Sequence, residues 1–252
     1  MIKFVMLPVI GFIIGIFTIM FGAGGGLLYT SILCLCFGVP GPIAASCSLA
    51  TRWPTLMLGS YSHWKNGHVR LDHGISMAIT GALGCIVGSL WSLKIPLKTY
   101  DALLAFIMLT SAIFITIKPD KLKGISLRLP MRWISLILGC FGGVLAGVFG
   151  MSGSGPLIAG LALLGLSAVE IIGTSSFVLA AISLAGFITH WRTGTTDWTS
   201  TALLLGGTLI GAWIAPHLLD KINTDRIEQK GRPIIAICLA VTGVFLLRNV
   251  LF

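Results

Sequence analysis

Charge is what this sequence has least of. Only 10% of its 252 residues are Asp, Glu, Lys or Arg, and just 8 are acidic, where a soluble domain carries about 25% charged residues. So few charges cannot keep a globule in water, so lipid has to be part of the solvent. The same shortage excludes a disordered chain, which combines high charge with low hydrophobicity. A nucleic-acid binder is excluded as well. The formal net charge of +9 is spread over short breaks between apolar runs, which is the positive-inside pattern of a membrane protein and not a basic groove.

Other absences narrow the function. No GxxxxGK[ST] loop is present, so ATP is not the direct energy source. The six cysteines lack zinc or disulfide spacing: Cys47, Cys85, Cys140 and Cys238 stand singly in apolar runs, and Cys34 and Cys36 are one residue apart in another. They read as small buried hydrophobes. His68, His73 and His217 are isolated, so no metal site and no cofactor is expected. A membrane-embedded enzyme would need carboxylate pairs, a Cys–His dyad or metal ligands within the spans, and the long runs hold almost no acids. The apolar run from Phe4 to Met20 has no small-residue cleavage site, so a cleavable signal peptide is not expected.

What fills the chain instead is hydrophobic sequence, 56% of it. A membrane span needs about 20 mostly apolar residues. Long candidates run over 4–21, 43–62, 74–93, 100–117, 133–150, 168–189, 199–219 and 233–250. Two shorter apolar pieces, Leu27–Phe37 and Leu157–Leu166, follow the glycine-rich breaks Gly22–Gly26 and Gly150–Pro156. The order long, short, long, long, long therefore occurs twice. Residue matches support a duplication: Ser62-His63-Trp64-Lys65-Asn66-Gly67 answers Thr189-His190-Trp191-Arg192-Thr193-Gly194 at an offset of 127 residues. At that offset Gly38 meets Gly165, and Ser46-Cys47-Ser48 meets Gly173-Thr174-Ser175. With a small gap, Gly84-x3-Gly88 matches Gly207-x3-Gly211, a spacing that lets helices pack closely.

The expected fold is an all-α, polytopic transmembrane helix bundle made of two tandem repeats, each with four long spans and one short broken or re-entrant helix. Residues 1–120 form the first repeat, 121–132 a cytoplasmic linker within the hydrophilic stretch Lys118–Arg132, and 133–252 the second repeat. If the short pieces dip in and return, the halves are parallel; if they cross, the halves are inverted. The distribution of loop Lys and Arg slightly favours inversion.

Paired, Gly/Pro-interrupted short segments at matching places in two halves point to a transporter site. A half-helix that starts inside the membrane leaves backbone N–H groups free at its positive end, which suits an anion. The candidate substrate-binding residues are Gly24, Gly25 and Gly26 in the first break and Ser152, Gly153 and Ser154 in the second, with Ser48, Thr174 and Ser175 on the following spans. The bland alternative is that the glycines only permit close helix crossing. Arg52 falls inside the 43–62 span, and near the bilayer centre a charge costs about 2.5–3.5 kcal/mol and so faces a cavity or a partner. Its planar five-donor head suits an oxyanion; alternatively it snorkels to an interface or pairs with Glu170. Glu170 carries a coupling proton, or caps the next helix together with Ser167. His63 and His190, each followed by Trp and a base, read as interfacial anchors.

These residues resemble the sulfite exporter TauE/SafE family of permeases. The resemblance is carried by Gly22-Ala23-Gly24-Gly25-Gly26 and Gly150-Met151-Ser152-Gly153, by the helix starts Ala45-Ser46-Cys47-Ser48-Leu49 and Gly173-Thr174-Ser175-Ser176, and by the basic-x-Gly turns Lys65–Gly67 and Arg192–Gly194. It covers nearly the whole chain. Ser152 and Ser154 dilute the second glycine cluster, and Cys47 stands in place of a more usual threonine. The resemblance implies a multi-pass, inner-membrane secondary transporter of small sulfur-containing or organic anions such as sulfite or sulfonates. Its partners would be that anion and the lipid bilayer. The alternative is a membrane scaffold or accessory subunit without transport activity.

Overall fold

The computed structural model describes residues 2–21, 25–116, 130–151, 153–193, 196–219 and 224–251. They form ten α-helices and, among the described residues, no strand: α1 (Ile2–Phe21), α2 (Gly26–Phe37), α3 (Gly41–Lys65), α4 (Leu71–Ser92), α5 (Leu97–Thr116), α6 (Met131–Phe149), α7 (Ser154–Leu163), α8 (Ala168–Thr193), α9 (Trp198–Leu219) and α10 (Thr224–Leu251). The two short helices, of 12 and 10 residues, fall where the glycine-flanked apolar pieces lie. At 1.5 Å per residue each is about half as long as a hydrocarbon core is thick. Gly24 and Ser152, two expected site residues, lie outside the described residues, as does most of the linker.

Within α4, α8 and α9 the stretches Leu71–Ser92, Ala168–Arg192 and Trp198–Ala215 are long and apolar enough to cross a bilayer. The outer face of α4 shows the period expected of a helix in lipid: Ile75, Ile79, Leu83, Val87 and Leu90 are all exposed. Helix α3 is more polar because it is central. Its Ser46, Ser48, Thr51, Arg52 and Thr55 are all buried, so protein and not lipid surrounds them. Exposed Trp64, Trp91, Trp133, Trp191 and Trp198 sit at helix ends, where an aromatic belt belongs.

Contacts fix the helix directions. A Cβ on Gly11 or Gly15 of α1 would strike the backbone of Leu204 or Thr208 of α9, so these helices run the same way. Helix α3 joins them, its start touching Thr196 and Asp197 ahead of α9 and its Thr55 meeting Thr208 at 3.2 Å. Helices α4 and α6 are also parallel, Gly143 lying on Gly81 and Gly147 on Cys85. Helix α8 runs against α3: Gly173 sits by His63, and Phe187 stacks on Trp53 with centroids 6.0 Å apart. Helix α7 folds back along α6, Gly153 against Gly142 and Gly160 against Leu138. The closest crossings therefore join the first half of the chain to the second.

The Gly84/Gly88 and Gly207/Gly211 pairs lie at these crossings, against Cys140 and Val144 in one and Pro8 and Phe12 in the other. Adjacent glycines give a sharp test. A Cβ on Gly207 would lie 1.9 Å from Pro8 O, while Gly206 has nothing within 4 Å. Gly207→Ala should lower the melting temperature in detergent by several degrees and Gly206→Ala should not, since overpacking against backbone costs about 1–3 kcal/mol.

Candidate functional site

Both helix breaks converge on α3. The Ser48 hydroxyl lies 2.9 Å from Gly150 O and 3.3 Å from Gly26 O, so one side chain touches the first turn of α2 and the end of α6. One turn further along, Arg52 donates Nη1–H to Gly150 O at 3.2 Å and to Met151 O at 3.0 Å. Both residues have 0% exposure, so the site is closed to both faces in this conformation. Arg52 neither snorkels nor pairs with Glu170, and among the described residues it forms no ion pair.

Backbone geometry makes the junction. Gly25 and Gly153, which immediately precede α2 and α7, are both left-handed, with φ 59° and 54°, and no side chain caps either short helix. Gly150 closes α6 with φ 64°. A left-handed residue ends a helix cleanly and is nearly confined to glycine. The reading from sequence placed amide donors at the centre of the site. What Ser48 and Arg52 meet is the carbonyl side, because α6 ends there and its last C=O groups need donors.

Arg52 keeps two of its three nitrogens open. Its Nε and Nη2 are buried and have no hydrogen-bond partner among the described residues, and the same holds for Thr18 Oγ1, Thr30 Oγ1, Tyr29 OH, Ser183 Oγ and Asp101 Oδ1. The Tyr29 hydroxyl faces Thr18 and Thr208 without closing a well-formed bond to either, and Tyr29 and Cys85 are electrostatic neighbours of Arg52. A buried donor left unsatisfied costs about 1–3 kcal/mol, and more when charged. The open hydroxyls and N–H groups can donate, and Nε with Nη2 forms one edge of the guanidinium fork, which fits two oxygens of a single oxyanion.

The remaining expected residues divide. Gly25, Gly26, Ser48 and Arg52 are brought together, and Gly153 packs on Gly142, further back along α6. Ser154, half-buried, opens α7. Thr174 and Ser175 are buried elsewhere, at the start of α8 beside the α3–α4 loop. Thr174 Oγ1 accepts the Arg70 amide at 3.0 Å, and Ser175 turns its hydroxyl to Ile172 O. Sequence reasoning missed Thr18, Tyr29, Thr55 and Thr208. Their one signal was polar residues in apolar runs, which is weak because a Ser or Thr hydroxyl can also bond the carbonyl four residues back.

Glu170 resolves as a cap. Its carboxylate accepts the Ser167 amide at 2.9 Å and the Ser167 hydroxyl at 2.8 Å, and it pairs with Arg70 at 3.2 Å. One of the two histidines separates from its tryptophan: Trp64 and Trp191 are exposed and His63 is half-buried, but His190 is buried with Nε2 3.3 Å from Gly147 O. Burial against a carbonyl is not an anchor's position.

This arrangement of two short helices, two glycine breaks and a central polar helix occurs in a chain matched over residues 7–246 by the family described as sulfite exporter TauE/SafE. The chain belongs to that family. It is 31% identical over 220 residues, 84% of this chain and 89% of the relative, to the probable membrane transporter protein YdhB of Bacillus subtilis (strain 168). To the probable membrane transporter protein MJ0441 of Methanocaldococcus jannaschii it is 25% identical, over 96% of this chain and 94% of the relative. As a TauE/SafE protein the chain is a membrane transporter. In the family context the junction at Ser48 and Arg52 becomes the candidate place where cargo is held.

Proposed function

We propose that the chain is a multi-pass secondary transporter of the cell membrane that carries small oxyanions, sulfite, sulfonates or carboxylates, through the Ser48–Arg52 junction. The observation that carries this is the buried guanidinium edge, Nε and Nη2 of Arg52, left without an acceptor among the described residues. We read the chain as an inverted duplication, which would supply the mechanism. The α4–α6 crossing has the same glycine contacts as the α9–α1 crossing, α3 and α8 run oppositely, and the Cys47–Asp197 contact answers Thr174–Arg70 at the offset of 127. Two such halves can exchange conformations, which opens a midplane site alternately to either face. The face carrying Lys65 and Arg70 is assigned to the cytoplasm by the positive-inside rule.

Export needs no nucleotide in this scheme. An inside-negative potential expels a monovalent anion with about 2.3 kcal/mol per 100 mV. Counterflow in proteoliposomes with labelled sulfite, a short alkylsulfonate and a short carboxylate tests the proposal. Saturable exchange of at least one is expected. If none exchanges, and none raises the melting temperature of the purified protein, the oxyanion reading fails.

A further inference from the structure

The end of α6 has an unusual concentration of donors aimed at its carbonyls. Ser89 Oγ bonds Gly147 O at 3.3 Å, Tyr100 OH bonds Val148 O at 2.7 Å, and Ser48 bonds Gly150 O. Arg52 supplies the formal positive charge in this set, on Gly150 O and Met151 O. These donors come from α3, α4 and α5, and the His190 ring of α8 also meets Gly147 O at 3.3 Å. A helix C-terminus carries about half a negative charge. In transporters with unwound helices, such carbonyl ends inside the membrane coordinate the coupling cation.

We infer that the Arg52 guanidinium is a built-in cation for the broken end of α6, occupying the place of an alkali coupling ion, so that transport needs neither Na⁺ nor K⁺. The inference deepens the proposed transport site and rests on Arg52 lying within it. One guanidinium would then do two things with two edges: Nη1 neutralises the carbonyl end, and the Nε/Nη2 edge is left for the oxyanion. The device is one-sided. At the offset of 127 the position equivalent to Arg52 is Leu179, which is buried among apolar neighbours.

The test reads melting temperature without any anion substrate, in chloride salts of Na⁺, K⁺, choline and guanidinium at matched ionic strength. Wild type should melt alike in the first three. Arg52→Ala should melt about 5 °C or more below wild type and recover part of that loss in millimolar guanidinium, the cation that refills the vacated place. Arg52→Lys should stay near wild type in stability, because an ammonium still faces the carbonyls, yet lose anion exchange, because it has no Nε/Nη2 edge.

Equal melting of Arg52→Ala and wild type would overturn the inference, as would a lowered Arg52→Ala that ignores every cation. So would a wild type stabilised or driven by Na⁺. If Arg52→Ala does not fold, Arg52→Lys and Arg52→Met decide: a folded Lys variant beside an unfolded Met variant supports the built-in cation, and equal behaviour of the two refutes it. These outcomes are separate from the oxyanion reading, which fails on wild-type exchange alone.

Discussion

Arg52→Gln should lower oxyanion exchange in proteoliposomes by about 100-fold. Removing one side of a buried, hydrogen-bonded charge contact costs about 2–5 kcal/mol, and each 1.4 kcal/mol is tenfold. Glutamine keeps one amide donor for the carbonyls but has neither the charge nor the two-donor edge that is open in the native protein. The loss should appear at every anion concentration that can be reached, with the protein still folded by near-ultraviolet circular dichroism. Exchange within threefold of wild type would take Arg52 out of the cargo site and leave it as a cap on α6.

The second large effect concerns backbone. Gly150 has φ +64°, and a Cβ there would lie 2.3 Å from Ala45 Cα and 2.6 Å from Ala45 O. Gly150→Ala therefore adds a left-handed penalty of about 1–2 kcal/mol to an overlap costing about 1–3 kcal/mol. The sum corresponds to a fall in melting temperature of roughly 5–15 °C. Gly165 is the control: its φ is +77° but nothing lies within 4 Å of the added carbon, so Gly165→Ala should show only the conformational share. Because Gly150 O receives both Ser48 and Arg52, the Gly150 variant should also lose exchange at temperatures where it remains folded. An unchanged melting temperature would mean that the turn between α6 and α7 differs from the one described.

Much of this was legible in the residues themselves. Hydropathy placed the eight long and two short helices, since burying an unpaired backbone in lipid is forbidden and each span must announce itself as an apolar run. Arg52 was legible because a lone base in such a run has no cheap explanation. Ser167 and Glu170 were legible as a cap because the capping box is a local pattern of four residues. Thr174 and Ser175 lie apart from Ser48, on the Arg70 amide and Ile172 O: matching register along the chain does not fix where in the bundle a residue falls.

Thus the order and apolarity of the helices, and the two places where they break, were determined by the sequence alone, because each depends on residues within one or two turns of one another; α10 begins nine residues before the expected 233–250 run. That Ser48 spans both breaks, that Arg52 holds the carbonyl end of α6 and leaves one edge open, and that α1 lies on α9 as α6 lies on α4 were decided only by the tertiary structure. Those contacts join residues about 20 to 200 positions apart. A donor carries no mark of its distant acceptor, and a small residue at a crossing does not say whose backbone will rest on it.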